Sequence, residues 1–145
     1  MSVKRFERIL VAVDDSDDSE KAFEYAVMYA KQANGILGIA TVMEINRLNV
    51  YQVLDVDVLT AEREKAARIA ETYRQRAEMN GLTGVEVLLD EGEPGPVIVD
   101  DILPRFKGDF LVCGSKSNEK KGLFTIGSQA AYMAKNAPCS VMVVR

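Results

Sequence analysis

Short apolar runs alternate along this chain with segments whose apolar residues recur at helical spacing. The runs are rich in β-branched residues, which is typical of strands buried on both faces of a parallel sheet. We predict strands at residues 8–14, 36–44, 85–89, 109–113 and 140–144. We predict helices at 17–33, 60–80, 95–106 and 128–136.

Capping residues set the predicted helix ends. Asp17 with Glu20 resembles a capping box, Gly35 and Gly81 follow two helices, and Pro96 opens a third. Residues 45–57 are apolar without a clear period, and we predict a partly ordered loop there that covers an edge of the sheet or its C-terminal face.

Strands that alternate with helices predict an α/β fold, with one open parallel sheet, right-handed crossovers and helices on both faces. Nothing in the sequence marks a linker, so residues 1–145 are predicted to form a single domain. Ligands of such sheets bind outside the carboxyl ends of the strands. The candidate site residues are therefore those that follow each strand: 14–16, 42–44, 90–92 and 114–117.

Composition excludes several function classes. The 145 residues are 48% hydrophobic and 28% charged with a net charge of −4, so we expect neither nucleic acid nor an anionic membrane as a partner. No apolar stretch approaches the ~20 residues of a membrane span, and the N-terminus has no signal-peptide pattern. We expect a cytoplasmic protein.

The absence of histidine excludes Ser-His-Asp and Cys-His catalysis and every His-ligated metal site. The two cysteines end one predicted strand (Cys113) and precede another (Cys139). If those strands are parallel neighbours, the thiols lie at opposite ends of the sheet, and we expect buried, unpaired thiols.

The segment from Gly114 to Ser128 has two interpretations. Gly114 lets the chain turn off a strand end, and Gly127 with Ser128 opens a helix whose N-terminus is a ready anion site. Lysines at 116, 120 and 121 add positive charge to this phosphate-binding interpretation. The alternative is a surface turn with a serine N-cap. Neither a Walker A nor a Rossmann glycine pattern is present.

Acidic residues follow the first strand. Asp14 stands at the strand end, where its carboxylate suits a ribose hydroxyl or a donor on adenine. Asp15, Asp17 and Asp18 are predicted to be solvated and to complement the helix dipole. A Mg²⁺ site made from this cluster alone is not expected.

The last predicted strand, Ser140 to Val144, has no helix after it and is expected at a sheet edge. An exposed apolar edge favours pairing, and pairing with a second copy across a two-fold axis is the interpretation we favour over coverage by residues 45–57 or by a helix.

Together these stretches resemble the universal stress protein family. The matching segments are "ILVAVDDSDDSEKAFEYAVMYAK", "ATVME", "GEP" and "LVCGSKSNEKKGLFTIGSQAAYMAKNAPCSVMVVR". Nucleotide-binding members carry Gly, two residues, Gly, nine residues, Gly and then Ser or Thr. This chain has Gly114, Ser117, Gly127 and Ser128 at that spacing, with a serine at the second glycine position.

The resemblance implies a Rossmann-like fold of the adenine nucleotide alpha hydrolase type, with strand order 3-2-1-4-5 and a homodimer that pairs its last strands. It implies a site for ATP or AMP, with or without Mg²⁺, in which Ala12 and Asp14 line the base and ribose pocket and Val42 meets the adenine. Gly114, Ser117, Gly127, Ser128 and Gln129 would hold ribose and phosphates. Neighbouring Val13, Ser115 and Lys116 complete the candidate site.

Three departures from the family pattern bear on this site. Ser117 brings a Cβ to a position where the backbone approaches phosphate, although its hydroxyl can donate a hydrogen bond to a phosphate oxygen. Gln129 replaces a small apolar residue, and Ala12 replaces a frequent proline.

Three functions are consistent with these residues. The leading hypothesis is a nucleotide-binding regulatory dimer in stress response, not an enzyme beyond slow ATP hydrolysis or autophosphorylation on Ser117 or Ser128. The second is a dimeric interaction module with the same fold and no nucleotide. The third, which we favour least, is a phosphoacceptor receiver domain that uses Asp14, Asp15, Asp90 and Ser115.

Overall fold

The computed structural model describes residues 5–45, 48–115 and 126–145. The strands are β1 (Arg8–Ala12), β2 (Ile36–Met43), β3 (Val85–Glu91), β4 (Phe110–Gly114) and β5 (Ser140–Val144). The helices are α1 (Asp17–Ala33), α2 (Val50–Val53), α3 (Val56–Met79), α4 (Pro94–Pro96), α5 (Leu103–Phe106) and α6 (Ser128–Asn136). A π-helical segment, Val97–Ile102, joins α4 to α5. Within the described ranges, no helix combines the length and the apolar content that a membrane crossing requires.

All five strands form one parallel sheet in the order β3-β2-β1-β4-β5, as predicted. The central strands β1, β2 and β4 are largely buried, which explains why their sequences are continuous apolar runs. β3 and β5 are the edges. The strand order reverses between β1 and β4, and this places the carboxyl ends of these two strands on either side of a crevice.

Helices cover both faces of the sheet. Ile9, Val11 and Ile39 face the side that packs against α1 and α3. Leu10 and Leu111 face the other side, which packs against α6 and the α4-to-α5 segment. The two cores arise because successive strand residues point to opposite faces.

Residues 45–57 differ from the prediction of a partly ordered loop. Asn49 and Gln52 form a reciprocal capping box that begins α2, and the Asp55 carboxylate accepts from the Asp57 and Val58 amides to begin α3. The prediction was wrong because the exposed apolar residues of this segment have no periodic pattern, whereas the local caps are sufficient to start two helices.

Two helix starts also differ from the prediction. Ser16, not Asp17, is the N-cap of α1, since its hydroxyl accepts from the Ser19 amide at 3.2 Å. The third predicted helix begins at Pro94 rather than at Pro96, because proline fits the first helical position.

The thiols of Cys113 and Cys139 are unpaired, as expected, but only Cys113 is buried, and Cys139 is half-buried. Cys113 lies near the carboxyl end of β4, and Cys139 precedes β5 at the opposite end of the sheet.

Gly38 on β2 is a sensitive packing position. A Cβ at this residue would lie 2.8 Å from the Phe106 ring and 2.9 Å from Leu10 Cδ1, and both of those side chains are fully buried. We therefore expect Gly38→Ala to lower the free energy of unfolding by about 1–3 kcal/mol through overpacking. Urea denaturation measures this loss.

Gly84→Ala is the matched control, because its Cβ would meet its nearest atom, Ile36 Cγ1, at 3.2 Å. A smaller loss is expected there. Equal unfolding midpoints for Gly38→Ala and the unmodified protein would contradict this account of the core.

Candidate functional site

The candidate site lies in the crevice between β1 and β4. Nine predicted site residues line one cleft there: Ala12, Val13, Asp14, Val42, Gly114, Ser115, Gly127, Ser128 and Gln129. The predicted Lys116 and Ser117 lie outside the described residues, as do Lys120 and Lys121. The crossover topology thus brings together segments that are up to 117 positions apart in the chain, from Ala12 to Gln129.

The turn after β1 is fixed by short side chains. Asp14 Oδ1 accepts from the Ser16 amide at 2.8 Å, and the Asp14 amide donates to Ser19 Oγ at 2.9 Å. Ser16 and Ser19 are buried beside the cleft. These bonds hold the Asp14 backbone at the strand end and begin α1 directly behind it.

Asp18 takes part in the site framework and is not the solvated surface residue that the sequence predicts. Its Oδ2 accepts from the Ser115 hydroxyl at 2.9 Å, and Ser115 is completely buried. A Cβ on Gly114 would lie 2.7 Å from Asp18 Cβ and 2.9 Å from the Asp18 carbonyl carbon. Gly114 does not have a positive φ, so glycine is required here for the close approach of α1 to β4 rather than for a special turn.

The N-terminus of α6 opens onto the cleft. Gly127 is its N-cap, Ser128 is its first helical residue, and no side chain among the described residues makes the capping bond. The predicted alternative of a serine N-cap is therefore wrong. The Gly127 amide donates to the Ser115 carbonyl oxygen at 2.6 Å, which anchors this helix end beside β4. Uncapped amides and the helix dipole favour an anion at this position.

Gln129 connects the two helical walls of the cleft. Its Oε1 accepts from the Gly95 amide at 2.7 Å, and its Nε2 donates to Glu93 Oε1 at 3.2 Å. One turn further along α6, the Tyr132 hydroxyl donates to Asp100 Oδ2 at 3.1 Å. These contacts hold α6 against the segment that follows β3.

Ser16 and Glu44, which belong to the predicted segments 14–16 and 42–44, also line the cleft. Several other lining residues were not identified from the sequence: Ser19, Ala40, Pro94, Ile98, Cys113, Ala130 and Met133. Ala130 and Met133 follow Gly127 at helical spacing, which is a signal that predicts a shared face. Pro94 and Ile98 carry no comparable signal, because their place depends on how the segment after β3 packs on α6.

The described lining is mainly apolar and carries two carboxylates, Asp14 and Glu44, and no Lys or Arg. Burial raises the pKa of the Cys113 thiol to about 12, so this thiol stays neutral at physiological pH. The inner cavity is about 70 Å³ and opens to solvent through a wider mouth. The inner cavity alone is smaller than the ~300–1,000 Å³ that is usual for small-molecule sites.

The receiver-type acidic pocket does not assemble. Asp90 lies on edge strand β3, with β2 between it and β1, and its carboxylate pairs with Arg105 at 3.2 Å. Asp90 is therefore about two strand spacings, roughly 10 Å, from β1, the strand that Asp14 follows.

Comparison with known proteins identifies close relatives of this architecture. The sequence model of the universal stress protein family matches residues 5–145. A putative universal stress protein of Staphylococcus haemolyticus is 30% identical over 140 residues, which are 97% of this chain and 85% of that protein.

Solved structures agree with the sequence match. The universal stress protein UspA from Lactobacillus plantarum has a TM-score of 0.84 and 26% identity, and the alignment covers 99% of this chain and 100% of that one. A universal stress protein solved in complex with cAMP has a TM-score of 0.72 and 25% identity, with 98% and 99% of the two chains covered.

The Asp18–Ser115 bond gives a direct test of the site framework. We expect Asp18→Ala to lower the free energy of unfolding by about 1–3 kcal/mol, because it removes the acceptor of a buried hydroxyl. Asp17→Ala is the matched control: it removes an exposed carboxylate from the same turn, and we expect it to lower the free energy of unfolding by about 0.3–1 kcal/mol. Chemical denaturation measures both, and equal losses would show that the dipole, not the Ser115 contact, is the relevant interaction.

Proposed function

The chain belongs to the universal stress protein family, and from this premise we propose that it is a cytoplasmic homodimer that binds an adenine nucleotide, ATP or AMP, and acts as a regulator in stress response. The observation that carries the proposal is the cleft between β1 and β4, where nine predicted ligand-contacting residues meet beside the N-terminus of α6, which no described side chain caps. The cAMP complex of a structural relative supports the adenine nucleotide class.

The cleft offers a distinct surface to each part of a nucleotide. Ala12, Ala40 and Val42 form an apolar wall that suits a base. The Asp14 carboxylate suits a ribose hydroxyl as acceptor. The backbone amide of Ser128, at the first position of α6, suits a phosphate. Because the inner cavity is small, the nucleotide would lie in the open mouth, and any Mg²⁺ would be bound mainly through phosphate oxygens.

We infer that Gln129 positions α6 rather than binding phosphate itself. Its amide group already bonds to Gly95 and Glu93 on the opposite wall. Breaking those bonds would lose about 0.5–1.5 kcal/mol each, whereas no described side chain caps the start of α6.

Binding rather than catalysis is the proposed activity. Among the described cleft residues, the Ser115 hydroxyl is wholly buried, and the Cys113 thiol is neutral because its pKa is about 12. Neither is an activated nucleophile. Slow ATP hydrolysis or autophosphorylation is the most that this proposal includes.

A second candidate is the same dimer without a nucleotide. It is favoured by the small inner cavity and by the Gln129 bonds that join the walls of the cleft. The two candidates differ in one measurable property, the occupancy of the cleft.

Native mass spectrometry in the presence of ATP, AMP or GTP tests the proposed site. We expect one adenine nucleotide per subunit and weaker retention of GTP. Ala12→Leu should abolish binding, because the larger side chain fills the base wall of the cleft. Ala33→Leu is the matched control: Ala33 is also half-buried, lies at the far end of α1, and its substitution should leave binding unchanged.

A protein that stays free of nucleotide at millimolar ATP and AMP would exclude the proposed site and favour the second candidate. Equal binding by the Ala12→Leu variant would place the nucleotide elsewhere.

The proposed dimer pairs β5 with its copy. The two edges of the sheet differ in charge: β3 carries Glu86, Asp90 and Glu91, whereas residues 137–144, which include β5, carry no charged side chain. Charges on an edge strand oppose strand addition, so β5 is the edge that permits it.

Val143→Pro tests this interface. The Val144 carbonyl accepts from the Ser115 amide, so Val144 faces β4 and the backbone of Val143 faces the open edge. We expect the variant to lose an outward amide and to become monomeric in sedimentation experiments. Val87→Pro is the control on the other edge: Gly84 O accepts from Leu37 N, so by alternation the Val87 amide also faces outward. A monomeric Val87→Pro variant, or a dimeric Val143→Pro variant, would contradict the proposed pairing.

A further inference from the structure

The segment around α2 exposes a cluster of large apolar side chains. Val50, Tyr51, Leu54 and Val56 are 71%, 85%, 77% and 73% exposed, and we call these four residues the α2 patch. Other exposed apolar residues, such as Met79 and Leu89, are isolated along the chain. Single exposed apolar residues are normal on protein surfaces, whereas a contiguous group indicates a contact surface.

The α2 patch does not contribute to the core. No residue of α2 is buried, and the helix is held by its Asn49–Gln52 capping box and by packing against α3. Val50 and Leu54 are one helical turn apart, so they share a face. The caps fix this segment while its apolar side chains remain in solvent, and folding therefore does not account for the patch.

The described rim of the α2 patch is acidic. Residues 48–62 include Asp55, Asp57 and Glu62 and contain no Lys or Arg, and Arg47, directly before them, lies outside the described residues. Asp55 and Asp57 are both exposed. The next cations along α3 have acidic partners, because Arg63 lies 3.3 Å from Glu91 and Lys65 lies 3.6 Å from Asp15.

This charge distribution discriminates among three occupants. A second copy placed on the patch across a two-fold axis would bring the carboxylates of Asp55 and Asp57 close to their own copies, which is unfavourable. An anionic membrane surface would be repelled for the same reason. A segment with apolar side chains flanked by Lys or Arg matches both the apolar centre and the acidic rim.

We propose that the α2 patch is a docking surface for a basic amphipathic helix of a partner protein. The apolar face of such a helix would cover Tyr51 and Leu54, and its basic residues would face Asp55 and Asp57. The patch follows β2, which is separated from β5 by β1 and β4 in the sheet. A dimer paired through β5 therefore leaves the patch accessible on each subunit, and the docking proposal does not depend on nucleotide binding.

The test uses the full-length protein and two labelled synthetic peptides, one amphipathic helix of Leu and Lys and its counterpart of Leu and Glu. Fluorescence anisotropy should show that the Leu/Lys peptide binds about tenfold or more tightly than the Leu/Glu peptide. We expect this preference to weaken at high salt.

Tyr51→Ser combined with Leu54→Ser should reduce Leu/Lys peptide affinity by about tenfold or more. Both side chains are exposed, so the fold should be retained, as circular dichroism would show. Met79→Ser is the matched control: Met79 is 86% exposed, lies at the other end of α3, and should leave affinity unchanged. Asp57→Asn should reduce the preference for the basic peptide.

Three outcomes would overturn the proposal. The first is that the unmodified protein binds the two peptides with equal affinity, or that the Tyr51→Ser/Leu54→Ser variant binds the Leu/Lys peptide as tightly as the unmodified protein does. The second is self-association of the unmodified protein that the Tyr51/Leu54 substitutions abolish, which would identify a second copy as the occupant. The third is patch-dependent binding to phosphatidylglycerol vesicles without peptide binding, which would identify a membrane.

Discussion

The carboxyl end of the sheet depends on the hydrogen bonds of one buried residue, Ser115. Its amide donates to the Val144 carbonyl at 2.8 Å, its carbonyl accepts from the Gly127 amide at 2.6 Å, and its hydroxyl donates to Asp18 at 2.9 Å. Ser115 is completely inaccessible to solvent, so water cannot replace any of these partners. A single position after β4 therefore fixes β5, α6 and α1 relative to one another.

The cleft is a consequence of this arrangement. α1 packs on one face of the sheet and α6 on the other, and both are bonded to Ser115 beyond the end of β4. Gly114 allows α1 to approach β4 closely, because a Cβ there would lie 2.7 Å from Asp18 Cβ. The sequence associates Gly114 with a phosphate-binding turn. The structure shows that glycine is also needed at this position for packing, independently of any ligand.

Sequence periodicity predicts much of this fold, because the central strands are buried on both faces and their apolar runs are unambiguous. It does not predict the strand order, which came from the family resemblance. Only the strand order brings Val42 of β2 to the same cleft as Gly114 of β4. Asp18 was missed because its partner is 97 residues away. α2 was missed for the opposite reason: its signal is local, in the Asn49 and Gln52 caps, and the helix is too short for its exposed apolar residues to show a helical period.

Two apolar surface features with different surroundings coexist on this chain. β5 is an uncharged edge whose free backbone groups are complementary to an identical strand. The α2 patch leaves four large side chains in water, each of which would gain about 1.5–3 kcal/mol on burial, yet it is bordered by Asp55 and Asp57. Like charges at the rim oppose the pairing of identical patches but do not oppose a basic partner. The charge pattern thus favours the proposed self-association at β5 and the proposed recognition of a different molecule at the α2 patch.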